Sequence, residues 1–80
     1  MPVAAFVLLL VQVGKEYEIA EQIKEAAKKA GVDAEVYVVY GEYDIVVKVR
    51  AENLSQIDMF VTHIRRLPGV TRTVTLISSA

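Results

Sequence analysis

Nine consecutive residues near the start of the chain, Val3-Ala-Ala-Phe-Val-Leu-Leu-Leu-Val11, are all apolar. A run without alternation leaves no wet face, which predicts a strand buried on both sides. Gly14 interrupts it, and from Lys15 the period lengthens. Ile19, Ile23, Ala26, Ala27 and Ala30 recur at helical spacing. The opposite face carries Glu21, Lys24, Glu25, Lys28 and Lys29, with Glu25 and Lys29 at the i,i+4 spacing that pairs charges. Gly31 stands where such a helix ends on a left-handed residue.

Val36-Tyr-Val-Val-Tyr40 is β-branched and aromatic and predicts a second strand, and Ile45-Val-Val-Lys-Val-Arg50 a third. Gly41-Glu42-Tyr43-Asp44 joins them as a short hairpin connection. Asn53 has the character of an N-cap, with Gln56 three residues later completing a capping box. Leu54, Ile57, Phe60, Val61, Ile64 and Leu67 form the buried stripe of a second helix, and Pro68-Gly69 ends it. Val70 to Ser78 is a last strand, with Thr71, Thr73 and Thr75 set against Val74 and Leu76.

The order β-α-β-β-α-β predicts one α+β domain over residues 1–80, a ferredoxin-like sandwich. Two right-handed crossovers put both helices on one face of a four-stranded antiparallel sheet of order 4-1-3-2. The other face is left bare. The first strand demands burial on both sides, and the second also carries valines or tyrosines on both. A bare apolar face is hidden most simply against a second copy, as in a dimeric α+β barrel. Composition agrees: 54% of the 80 residues are hydrophobic, more than so small an interior holds.

Charge narrows the possible partners. Nine basic and ten acidic residues give a net charge of −1. Arg65 and Arg66 are the only adjacent arginines, so no basic face for a phosphate backbone is expected, and direct nucleic-acid binding is not. The Val3–Val11 run is far shorter than the ~20 residues of a spanning helix. It also lacks the basic start and cleavage site of a signal peptide. No membrane association and a cytoplasmic setting are therefore expected. With no cysteine there is neither disulfide framework nor thiolate metal cage.

Catalytic chemistry finds little support. His63 is the only histidine, with no second His or Cys to share a metal, and reads as a helix-surface residue. Ser55, Ser78 and Ser79 lack a nucleophile elbow, and Gly14, Gly31, Gly41 and Gly69 are isolated rather than gathered into a phosphate loop. No enzyme and no cofactor are expected. Tyr37, Tyr40 and Tyr43 cluster about the hairpin, either as amphipathic packing or as a pocket wall. Asp44 enters an apolar strand, where a carboxylate is costly unless it meets backbone N–H groups or a cation. An Asx-type cap of the hairpin is the structural reading of it.

The segment Val38-Val-Tyr-Gly-Glu-Tyr-Asp-Ile-Val-Val-Lys-Val49 closely resembles the G-x-[YF]-D hairpin of the C-terminal ligand-sensing domain of Lrp/AsnC transcription regulators. The first strand with Gly14-Lys-Glu is similar to that domain's opening. Ile64-Arg-Arg-Leu-Pro-Gly-Val70 and Thr71-Arg-Thr-Val-Thr-Leu76 resemble its close. The resemblance covers nearly the whole chain. With no helix-turn-helix ahead of the first strand, it implies a free-standing sensing domain. It further implies sheet-to-sheet homodimers, commonly assembled as a ring of four dimers. An amino acid or related effector then binds between dimers, near Tyr40, Gly41, Glu42, Tyr43 and Asp44. Asp44 would pair the ammonium, and the carboxylate would meet backbone N–H groups of the hairpin or the hydroxyls of Thr71 and Thr73 of a neighbouring chain. A full-length Lrp/AsnC regulator is an implied partner. Two other readings share the topology: a small dimeric α+β barrel enzyme of monooxygenase type, and an ACT-like allosteric domain whose sheets associate side by side.

Overall fold

The computed structural model describes residues 2–79. In chain order come β1 (Val3–Val11), α1 (Glu16–Ala30), β2 (Asp33–Val38), β3 (Ile45–Ala51), α2 (Leu54–Arg65) and β4 (Val70–Ile77). The four strands form one antiparallel sheet, β2-β3-β1-β4, the expected order read from its other edge. β1 is central. Its Ala5, Val7, Leu9 and Val11 and β3's Ile45, Val47, Val49 and Ala51 face the helices and are buried. Ile19, Ile23, Ala26 and Ala27 of α1 meet them, as do Ile57, Phe60 and Ile64 of α2. Each large side chain buried here contributes about 1.5–3 kcal/mol of hydrophobic stabilisation.

Local signals set the ends of the helices. Gly31 caps α1 at φ 71, in the left-handed region. Asn53 caps α2 by accepting from Gln56 N at 3.0 Å. The return bond of the capping box is displaced by one residue, since Gln56 Oε1 accepts from Glu52 N at 2.8 Å. After α2, Gly69 has φ 97, and a Cβ there would come within 3.0 Å of Ile19 Cδ1. Only glycine lets this turn lie against α1.

β2 runs three residues earlier than the aromatic run predicts and stops at Val38. The register explains why Asp33 and Glu35 are tolerated in it. Asp33 lies opposite Arg50 and Glu35 opposite Lys48, so unlike charges face each other across the ladder. Tyr40 is consequently outside the strand, and 97% exposed. The bare face is therefore less uniformly apolar than expected. Its β2–β3 flank is charged, and its apolar part is Phe6, Leu8 and Leu10 with Val46, Val74 and Leu76.

β4 departs furthest from the pattern an amphipathic strand shows. Thr73 and Thr75 pair with the helix-facing Leu9 and Val7, whereas Val74 and Leu76 pair with Leu8 and Phe6 of the bare face. Thr73 and Thr75 thus point toward the helix layer, and Val74 and Leu76 away from it. A bulge makes this possible: the register shifts between Leu10 and Val11, pairing them with Arg72 and Val70, so that Thr71 is the extra residue. Val70 packs against the core and Thr73 still faces the helices.

Phe60 is 1% exposed at the centre of this core. Phe60→Ala is expected to cost about 3–5 kcal/mol, read as a lowered midpoint in urea unfolding with an unchanged slope.

Candidate functional site at the hairpin

The β2–β3 connection is tied to the end of the central strand. Val11 N donates to Asp44 Oδ2 at 2.9 Å. Asp44 N donates to Leu9 O at 2.9 Å, and Val39 N to Asp44 O at 2.9 Å. From the other side of β1, Thr71 Oγ1 donates to Leu10 O at 3.0 Å. Asp44, just ahead of β3, and Thr71, on β4, therefore clasp the last three residues of β1 from its two sides. The carboxylate does meet a backbone N–H, though the amide belongs to another strand and not to its own turn.

Beside this clasp lies a cavity of about 280 Å³, lined among others by Glu16, Tyr17, Tyr40, Gly41 and Asp44. It contains three of the hairpin residues singled out in the sequence: Tyr40, Gly41 and Asp44. Glu42 is exposed and Tyr43 half-buried, and neither lines it. Thr71 and Thr73 stand on β4, separated from β3 by the whole of β1, so a single chain does not bring them to the hairpin cavity. Two lining residues escaped the sequence reading, Glu16 and Tyr17 in the first turn of α1. Tyr17 is 71% exposed and lies off the buried stripe, and its aromatic ring in that position is the one signal that marked it. Carboxylates and phenols suit this cavity to a cationic group such as an ammonium.

On the bare sheet face, Tyr37 Oη donates to Glu35 Oε1 at 2.6 Å. That bond, reinforced by the carboxylate's charge, holds the Tyr37 phenol above its usual range. His63 is exposed and borders a shallow hollow between α1 and α2 with Met59, Phe60 and Ala26. Among the described residues no polar or charged side chain is buried, and no helix is long and apolar enough to cross a membrane.

Residues 4–80 match the family model for the Lrp/AsnC ligand binding domain. The chain belongs to this family. It is 40% identical over 73 residues to the HTH-type transcriptional regulator FL11 of Pyrococcus horikoshii, covering 91% of the chain and 46% of that protein. The chain thus spans about half the length of the curated relatives it matches. Among solved structures, FFRP-DM1 superposes with a TM-score of 0.81 at 42% identity, over 95% of this chain and 97% of that one. TTHA0845 of Thermus thermophilus superposes at 0.85 and 37% identity, over 98% and 94%. The chain is therefore an Lrp/AsnC ligand-binding domain, similar to proteins named as transcriptional regulators.

In this Lrp/AsnC domain, Asp44→Ala leaves the Val11 amide without its partner. An unsatisfied amide at a buried residue costs about 1–3 kcal/mol. The expected outcome is a lower melting temperature together with faster hydrogen exchange at Val11. Unchanged exchange there would show that the clasp does not hold in solution.

Proposed function

We propose that this domain binds a small effector, an amino acid or a close relative, and assembles through its bare sheet face as a regulatory module. The polarity of β4 carries the assembly half of the reading. That strand turns Val74 and Leu76 away from the helices, beside Phe6, Leu8 and Leu10 of β1. Leu76 is 52% and Phe6 38% exposed in the single chain. Two such faces stacked about 10 Å apart cover this apolar surface, as in sheet-to-sheet packing, and a two-fold homodimer is the symmetric way to do it. The charged flank of β2 and β3 then forms the rim of the contact.

The hairpin cavity carries the sensing half. Asp44, with Glu16 beside it, offers negative charge to an ammonium, and Tyr40 and Tyr17 offer aromatic walls. Tyr40, Gly41, Glu42 and Tyr43 project from the rim of the sheet, where a neighbouring dimer of a ring would meet them. A carboxylate of the effector then finds Thr71 and Thr73 of that neighbour. Because the Thr71 hydroxyl proton is donated to Leu10 O, Thr73 is the better donor of the two. A ligand held between dimers favours the assembled state by its differential affinity for it. Acting alone or co-assembled with a full-length regulator, such a domain works in the cytoplasm and touches DNA only through that partner.

Native mass spectrometry with each of the twenty amino acids tests both halves. The wild type is expected to fly as an even-numbered assembly, with added mass for at least one amino acid. Leu8→Lys, in the middle of the bare face, is expected to yield monomers. Tyr40→Ala, at a position 97% exposed in the single chain, is expected to keep the sheet-face dimer and lose the bound mass. A saturating effector at a hundred times its Kd stabilises by about 2.7 kcal/mol, so thermal shift gives a second readout. An unchanged assembly in Leu8→Lys sinks the dimer face. Sensing is sunk if no amino acid adds mass or raises the melting temperature.

A further inference from the structure

The helix layer does not cover the sheet evenly. α1 packs over β2, and α2 lies over the middle of the sheet, leaving the helix side of β4 partly open. The result is a groove between α2 and β4, made of two adjoining cavities of about 560 and 520 Å³ that share Val61, Arg65 and Thr75. Its charges sit apart. Asp58 and Arg65 line it from the same face of α2, seven residues and so about 10 Å apart along the helix axis, and Arg72 of β4 joins Arg65 in lining the other cavity. Between them on α2 stands Val61, and Ile57 and Ile77 add apolar lining to the cavity that holds Asp58. Thr73 and Thr75 add hydroxyls from β4, both half-buried.

Among the described residues, none of these polar groups has a side-chain partner. The ion pair formed among the described residues joins Lys24 to Glu21. Of the threonine hydroxyls, it is Thr71 that donates, to Leu10 O; Thr73, Thr75, Asp58 and Arg65 meet no side-chain partner. Hydroxyl-bearing residues on the helix-facing side of a strand, where β1 and β3 carry valine, leucine and isoleucine, are an anomaly that packing does not explain.

We infer that the α2–β4 groove binds an extended zwitterion, with its carboxylate on Arg65 and the threonine hydroxyls and its ammonium at Asp58. The apolar wall takes the methylene chain between the two charges. Guanidinium meets carboxylate through two parallel N–H donors, and Thr73 and Thr75 are placed to donate beside it. The spacing selects against a short α-amino acid, whose ammonium and carboxylate hang from one carbon and reach only one end. The site stands apart from the hairpin cavity, sharing only the β4 threonines Thr71 and Thr73 with the effector contacts proposed above. It opens on the helix side of the sheet, so face-to-face pairing of bare sheets leaves it accessible.

The test is a binding series on the full chain, read by calorimetry and by amide chemical shifts. Glycine, γ-aminobutyrate and ε-aminocaproate vary the separation of the charges, and hexanoate and hexylamine each remove one of them. ε-Aminocaproate is expected to bind most tightly and to shift the amides of Thr73, Thr75 and Val61. Arg65→Gln is expected to weaken it about tenfold, to the level of hexylamine. Asp58→Asn is expected to bring it to the level of hexanoate. Both positions are exposed, so the variants keep the fold. Tyr40→Ala, which removes the hairpin's aromatic wall, is expected to leave this binding unchanged, and the two sites therefore fail separately. Affinity independent of chain length, wild-type affinity in either charge variant, shifts confined to the hairpin, or no shift at all would each overturn the assignment.

Discussion

A central strand that is apolar on both faces must be covered twice, and the domain supplies only one cover of its own. The helices bury Ala5, Val7, Leu9 and Val11 of β1, and the remaining residues of that strand look out from the bare side. Every other choice in the fold is consistent with this imbalance. β4, next to β1, sends its valine and leucine to the uncovered side, while β2, the strand furthest from the apolar centre, sends acids there opposite the basic residues of β3. The apolar surface is thus gathered into a patch with a charged flank, the arrangement of an interface with a dry centre and a wet rim.

Much of the architecture was legible before any coordinates, because it depends on periodicity and punctuation. The change of period after Gly14, the cap at Asn53 and the glycines at 31 and 69 all locate their elements. What stayed hidden was set by register. β2 looked too polar to begin at Asp33, since the charges of Arg50 and Lys48 that make it tolerable come from another strand. The threonines of β4 looked like the wet face of an amphipathic strand. They are instead the helix-facing face, because coverage by α2, a tertiary fact, decides which side of that strand is wet.

The candidate site was legible in a similar, partial way. Asp44 stood out because a carboxylate at the mouth of an apolar strand needs a partner, and it has one. Its partner, the amide of Val11, lies 33 positions away, and no local motif announces it. Glu16 and Tyr17 reach the same cavity because α1 starts where β1 ends. Their closeness to the hairpin follows from β1 and β3 being neighbours, a pairing that the order of elements implies but that individual residues do not advertise. The groove beside β4 left a trace only in the unexplained threonines.

The bulge at Thr71 also governs how this protein can change over evolutionary time. In a strand every side chain's destination depends on counting by twos from a fixed pairing. One residue lost at the bulge, with the ladder beyond Arg72 kept, withdraws Val70 from the core. One residue lost further along reverses the remainder of β4, sending hydroxyls into the contact face and leucine into the groove. Length changes in this short segment therefore misplace a whole row of side chains, whereas a substitution misplaces one. Drift in family members should accordingly appear across β4 as point changes and not as indels.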